Sequence, residues 1–452
     1  MKQFARVILM VEPLLLAIVV ASFWFPEPYR ANTLLLLIPP ALARLILYRR
    51  IWVNTPLNLF FYAFILLTIV NTYVSQGHYV TPPYSWGWYE VGKPIMGIAL
   101  ALTMLSIVYE RQRIDGVLLV SLLVSLLVGV LGLVSAQYIA TKSSQLQFLI
   151  DLVPKFTNFP GAVGGFNVNE IGGAMTFFAS FTAGITIYEW RKRNSPLRLI
   201  LATVAFAILA LALALGQSRF AIIGVLLTIG VLIFLLIPSL RWRYAVLAIW
   251  LVVCLLEVGI VLQLFVPASS ASTSGGAVVA DDFTRDETSL AQRPVIWGAA
   301  LGIIRDYPLT GVGLNQFRSR QVRAKYPVPD FAMSVVPHAH NELLQVGTDV
   351  GIPGMILYVA WHIALAWMVW RAWRQGDPFV KAIAASAAAG LIAHAVFGLG
   401  DAITMYDRFA FAYWLFVGMA GSAYVLACRQ PQRESLPQSQ PQPQPETMTV
   451  HA

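Results

Sequence analysis

Residues 111–135 read RQRIDGVLLVSLLVSLLVGVLGLVS: a basic triplet, then a long apolar run whose only charge is Asp115. At about 1.5 Å rise per residue, a helix of about 20 apolar residues crosses the roughly 30 Å hydrocarbon core of a bilayer. A helix also satisfies its own backbone polar groups, which lipid cannot do. The same pattern recurs outward in both directions, with runs near 5–25, 32–48, 57–74, 94–109, 170–189, 197–215, 219–238, 243–266, 343–370, 379–399 and 409–428. Across 452 residues, 58% are hydrophobic and only 12% charged, half the roughly 25% charge of a soluble domain. The mean hydropathy of +0.69 agrees. The expected fold is an all-α polytopic membrane protein of about twelve transmembrane helices, one domain over residues 1–428.

The net charge of +9 is distributed as topology signals, not as a nucleic-acid surface. Arg49 and Arg50, Arg111 and Arg113, Arg191 to Arg193 with Arg198, Arg241 and Arg243, Arg371 and Arg374, and Arg429 and Arg433 fall in alternate loops. By the positive-inside rule both termini are expected to be cytoplasmic. The first run follows Lys2 and Arg6 as a signal peptide would, but it continues through Phe23, Trp24 and Phe25 without a clear cleavage site and reads as a retained helix. Residues 429–452 form a Gln/Pro-rich tail expected to be disordered. Cys254 and Cys428 both fall in apolar runs, which supports neither a disulfide framework nor a cysteine metal site. No repeat of solenoid length is visible.

The opposite face carries loops near 75–93, 136–169, 267–342 and 400–408. The first holds Tyr79, Tyr84, Trp86, Trp88 and Tyr89, a composition that suits an interfacial belt or sugar stacking. The third breaks the charge pattern with Arg285, Arg293, Arg305, Arg318, Arg320, Arg323 and Lys325. Its acids cluster early, leaving Arg318 to Lys325 as a basic run suited to an anionic partner. Pro294 is placed to open a helix, with Arg293 at its N-terminus. Arg293, Trp297, Ala300 and Ile304 share one face at helical spacing, as in an amphipathic helix lying on the membrane. A guanidinium at a helix N-terminus favours phosphate, although a surface arginine there is also common.

Two further signals accompany it. Gly216-Gln217-Ser218-Arg219 places a charge between two strongly apolar runs. Such a charge costs about 2.5 to 3.5 kcal/mol at bilayer depth, so Arg219 reads as an anion ligand or as snorkelling to headgroups. Pro337-His338-Ala339-His340-Asn341-Glu342 precedes Gly347, Gly351 and Gly354. If a helix starts near His340, these glycines form a stripe beneath an exposed imidazole, open to a second helix. A histidine can act as a base near neutral pH. A helix would splay His338 from His340, and no further ligand follows at zinc spacing, so no metal is expected. His338 reads as a structural neighbour. His362 and His394 read as interhelical hydrogen-bonding residues, and Asp401, Asp407 and Arg408 as an ion-pair set or acceptor contacts.

Together, Ser218-Arg219, Gln292-Arg293-Pro294 with Trp297, and His340-Asn341 followed after nine residues by Gly351 and then Gly354 resemble the O-antigen ligase and polymerase superfamily, closest to the ligases. The motifs cover about 216–354, the topology most of the chain. This resemblance implies a metal-independent, inverting glycosyltransferase of the bacterial inner membrane with a periplasmic site and no cofactor. Its donor would be an undecaprenyl-pyrophosphate-linked glycan, and its acceptor lipid A-core, in lipopolysaccharide biosynthesis. His340 would be the general base, and Arg219 and Arg293 the pyrophosphate ligands. His338, Asn341, Arg318, Arg320 and Arg323 are further candidates for substrate binding or support. A polymerase would use the same donor to extend glycan on the carrier, and transfer to protein would change only the acceptor. From another class, a lipid-linked glycan transporter would place charges such as Glu12 and Glu257 near the midplane.

Overall fold

The computed structural model describes residues 1–22, 33, 35–78, 84–111, 113–138, 146–159, 162–263, 293–328, 336–403 and 409–434. Asp407, Arg408, Tyr79, Gln292, Arg285, the tail from 435, and the side chains of Tyr84, Trp86, Cys254 and Glu257 lie outside the described residues. The helices are α1 (Lys2–Ser22), α2 (Ile38–Tyr48), α3 (Pro56–His78), α4 (Tyr84–Arg111), α5 (Asp115–Val134), α6 (Gln147–Leu152), α7 (Val168–Lys192) and α8 (Pro196–Gly216). They continue with α9 (Arg219–Leu236), α10 (Leu240–Gln263), α11 (Arg293–Asp306), α12 (Arg320–Lys325), α13 (Glu342–Gln375), α14 (Pro378–Phe397) and α15 (Ala410–Glu434).

Among the described residues, ten helices are long and apolar enough to cross a membrane. The polytopic all-helical reading is therefore borne out. The other two expected runs are the shorter apolar helix Leu35–Tyr48 and the 24-residue α10. Between α5 and α7 the described residues also make four two-residue strands, β1 (Ala136–Gln137), β2 (Asn158–Phe159), β3 (Ala162–Val163) and β4 (Phe166–Asn167). They pair as β1 with β4 in parallel and β2 with β3 antiparallel. The sequence reading did not anticipate them, because two residues are too few to show a period.

Helices α7 and α15 are the most buried spans. Helix α7 packs on α14, α8 and α9, and α15 packs on α4, α13 and α14. Small residues allow the close packing: Gly173 of α7 lies under the Phe397 ring, Gly390 of α14 lies against the backbone of Phe177, and Gly418 of α15 lies against Ala101 of α4. The tight α7–α14 contact brings the C-terminal end of α14 and the loop 398–403 beside the start of α9, where Phe220 sits on Gly400.

Helix α13 is broken at Gly351 (φ 71°, ψ −172°), a backbone region essentially restricted to glycine. The break releases backbone groups that the turn after α11 and a side chain of α3 take up. Val312 N–H donates to Thr348 O at 2.8 Å, Ile352 N–H donates to Pro308 O at 2.7 Å, and Asn71 donates to Val350 O at 3.1 Å. Of the predicted glycine stripe, Gly347 admits a second helix most closely, its face filled by Ile304 of α11, and Gly354 faces Leu67 of α3. Gly351 serves the backbone instead.

Candidate active site

Helix α13 begins at Glu342, because Asn341 caps it by accepting from Leu344 N–H at 3.0 Å. This moves the expected start by two residues and leaves both histidines outside the helix. His340 takes a left-handed conformation (φ 48°) and is buried rather than exposed, at 7%. The rings of His338 and His340 consequently converge, with centroids 4.3 Å apart, instead of splaying.

Both rings meet Asp401. His340 Nδ1 lies 3.1 Å and His338 Nε2 3.4 Å from Asp401 Oδ1, which also accepts from Ala402 N–H at 2.9 Å. The tautomers follow from these partners. His340 N–H donates to His338 Nδ1 at 3.3 Å, so that nitrogen is an acceptor and His338 Nε2 carries the proton facing the carboxylate. His340 donates through Nδ1, because a carboxylate oxygen only accepts, and its Nε2 is the ring nitrogen that Asp401 does not engage. Trp297 of α11 fixes the backbone by donating to His340 O at 3.3 Å.

Burial pushes His338 down to about 3, aided by His340, Arg318 and Arg293 and opposed by Asp401. It is a neutral hydrogen-bond donor at physiological pH. Burial alone would raise Asp401, yet His340, His338 and Arg293 hold it far below the usual carboxylate range. It therefore presents a fixed negative charge to His340.

Arg293 opens α11, as Pro294 predicted, with 5% exposure. Its Nε and Nη1 are buried and have no hydrogen-bond partner among the described residues. Burial lowers its pKa, and Asp401 opposes that shift. The α11 face formed by Arg293, Ile296, Ala300 and Ile303 is buried, and the helix packs on α13. That face meets protein instead of lying on a membrane. A buried guanidinium with unused donors is costly unless a ligand completes it.

Arg219 is half-buried at the first position of α9, next to Phe220 and hence beside the Asp401 loop. Arg318 is half-buried and acts electrostatically on both His338 and Glu90. Asn341 donates to Leu399 O at 3.2 Å, tying the histidine segment to that loop. Arg320 is exposed. Arg323 is buried on Phe317, its guanidinium 3.7 Å from the ring centroid and its Nε donating to Phe317 O at 2.8 Å. Burial lowers it to about 10. The structure thus gathers Arg293, His338, His340 and Asn341 around Asp401, with Arg219 and Arg318 alongside, while the described contacts of Arg323 are with Phe317.

Sequence reasoning left Asp401 as a loose ion-pair candidate and passed over a buried polar chain beneath the histidines. Ala339 N–H donates to Gln345 Oε1 at 2.8 Å, and Gln345 Nε2 donates to both oxygens of Asp349 at 3.0 Å. Asp349 accepts from Asn315 N–H at 3.0 Å, and Asn315 donates to Glu90 at 3.1 Å. The available signal was Asp349, a carboxylate inside an apolar run.

His338, His340 and Asp401 place their ligand atoms within 4.8 Å of one another, a set able to hold a divalent cation. Shared protons account for the same approach, and the charges of Arg293 and Arg318 oppose a further cation there.

Residues 204–359 match the family model described as O-antigen ligase. The resemblance to that superfamily is borne out. The matched stretch contains Arg219, Arg293 and His340 through Gly354 and ends before Asp401. No curated protein matches the chain.

Proposed function

We propose that the protein is an O-antigen ligase, transferring glycan from undecaprenyl pyrophosphate to a sugar hydroxyl of lipid A-core at the periplasmic face of the bacterial inner membrane. The observation that carries this reading is the pairing of His340, aligned by Asp401, with a buried Arg293 whose donors are open. His340 Nε2 takes the proton of the acceptor hydroxyl as its oxygen bonds to the anomeric carbon. The bond from that carbon to the pyrophosphate oxygen breaks with inversion, and the electron pair leaves on the lipid pyrophosphate. Arg293 and Arg219 bind the two phosphates, and Asp401 balances the imidazolium that forms. Arg318 and Asn341 line the approach to the acceptor. The donor's leaving group supplies the driving force, so no nucleotide is consumed, and the arginines take the place of a metal ion.

The test is transfer from undecaprenyl-pyrophosphate glycan to purified lipid A-core in proteoliposomes, with and without chelator, for wild type and His340→Ala. Loss of a general base lowers turnover by about 10² to 10⁴. Product on lipid A-core that depends on His340 and survives chelation is expected. Glycan lengthening on the carrier would assign a polymerase instead, and chelation that abolishes transfer would reassign the histidines to a metal.

A further inference from the structure

Glu342 is buried at 7% and touches no part of the proposed reaction, yet it grips the Asp401 loop at both ends. Its backbone N–H donates to Gly398 O at 2.9 Å, and its Oε1 accepts from Ile403 N–H at 2.9 Å. Its stem closes the space over Gly398, where an added Cβ would meet Glu342 Cγ at 2.6 Å. Behind the carboxylate stands His394 of α14, with Nε2 3.4 Å from Oε1 and the ring stacked on Phe177 at 4.1 Å. His394 Nδ1 lies 3.1 Å from Gly173 O. A carbonyl only accepts, so that nitrogen carries a proton and the ring has a fixed orientation. The carboxylate is wedged between a clamped ring and the loop backbone, and Asp401 lies within the segment it spans.

We infer that Glu342 is a positioning residue for the proposed base: it staples residues 398–403 across both ends so that Asp401 keeps its carboxylate on His340. This inference rests on the reading of His340 as the base. What the staple requires is reach, an oxygen placed at Ile403 N–H, and not charge alone. Glu342→Gln keeps that oxygen, the same one that faces His394, and places its amide nitrogen where Oε2 stands. Glu342→Asp keeps the charge but is one methylene too short.

Turnover of the full chain in proteoliposomes and backbone amide exchange over 397–403 are measured for Glu342→Gln, Glu342→Asp, Asp401→Asn and the Glu342→Asp/Asp401→Asn pair. Misplacing a reacting group by about 1 Å costs up to about 10²-fold, so Glu342→Asp should lose about tenfold or more while Glu342→Gln stays within about threefold of wild type. Exchange at Ile403 should rise in Glu342→Asp and stay slow in Glu342→Gln. Two residues acting through one contact are non-additive, so the double variant should fall within about threefold of Asp401→Asn. Equal or better turnover in Glu342→Asp than in Glu342→Gln would overturn the inference, as would multiplying losses in the double variant. If Asp401→Asn and His340→Ala leave transfer intact, the base assignment itself falls, and Ile403 exchange still shows separately whether the staple exists.

Discussion

Helix α4 carries a carboxylate near each end, Glu90 buried and Glu110 half-buried, and the two clusters built on them treat an arginine in opposite ways. At one end, Arg44 is 1% exposed and its donors are used: Nη1 and Nη2 fork onto Glu12, and Nε donates to Glu110 at 2.8 Å. At the other, Glu90 leads through Asn315 and Asp349 to the histidine segment, beside Arg293 with Nε and Nη1 open. Both guanidinium groups are out of water, so burial does not separate a structural arginine from a ligand-binding one. What differs between these two is the state of the donors, used at Arg44 and partly open at Arg293. Glu12, which sequence alone left available to a transporter, is held by Arg44.

The largest effect expected from this contrast is at the satisfied end. Arg44→Met leaves Glu12 buried without its partner, and breaking such a pair costs about 3 to 5 kcal/mol. Thermal unfolding in detergent should show the loss, and added lipid-linked glycan should not restore it. An unchanged Tm would mean that the cluster is not the structural counterpart of the site.

Arg293→Met should do the reverse. It removes an incompletely paired charge, so Tm should hold or rise, while turnover falls by about 10² to 10³, as when one transition-state donor is removed. Arg293→Lys should also be impaired, because an ammonium lacks the planar fork. Donor-dependent thermal stabilisation, present in wild type and absent in Arg293→Met, would tie the open donors to the pyrophosphate. A variant that loses stability as Arg44→Met does would erase the distinction between the two ends.

The bundle was legible because each apolar run of about 20 residues has one structural solution in lipid. Arg293 and Pro294 were legible for a local reason, the preference for proline in the first helical turn. The catalytic geometry was not, since Asp401 lies 61 residues from His340 and no spacing rule joins them. The histidines were misread through one capping residue: Asn341 caps the helix, which starts at Glu342 and not at His340, and two residues of register turn splayed rings into converging ones. The glycine stripe was a sound packing argument at Gly347 but missed the alternative use of glycine at Gly351.

That alternative gives a smaller, sharper test. Gly351→Ala forces a side chain into a conformation costing about 1 to 3 kcal/mol. The added Cβ would also meet Pro308 O at 2.6 Å. Because the break holds the turn after α11, loss of Tm should come with weaker donor stabilisation at the Arg293 end. Equal loss of stability with full donor stabilisation would show that the arginine is positioned without the break.

The smallest effect near neutrality is acid sensitivity confined to the histidine end. His338 falls from an ordinary 6.5 to about 3 on folding, through burial first and then through His340, Arg318 and Arg293, against the opposing charge of Asp401. Between those values the unfolded chain binds more protons than the folded one, so stability is fully present above about 6.5 and is lost as pH falls towards 3. Asp401, also lowered, adds a second loss below its ordinary 3.8. His338→Gln keeps a side-chain donor that reaches as far as Nε2 towards Asp401 without a titrating ring, so its Tm should decline less than that of wild type between pH 6.5 and 4. Parallel curves would mean that the acid sensitivity belongs to another group and that His338 is not held neutral by this site.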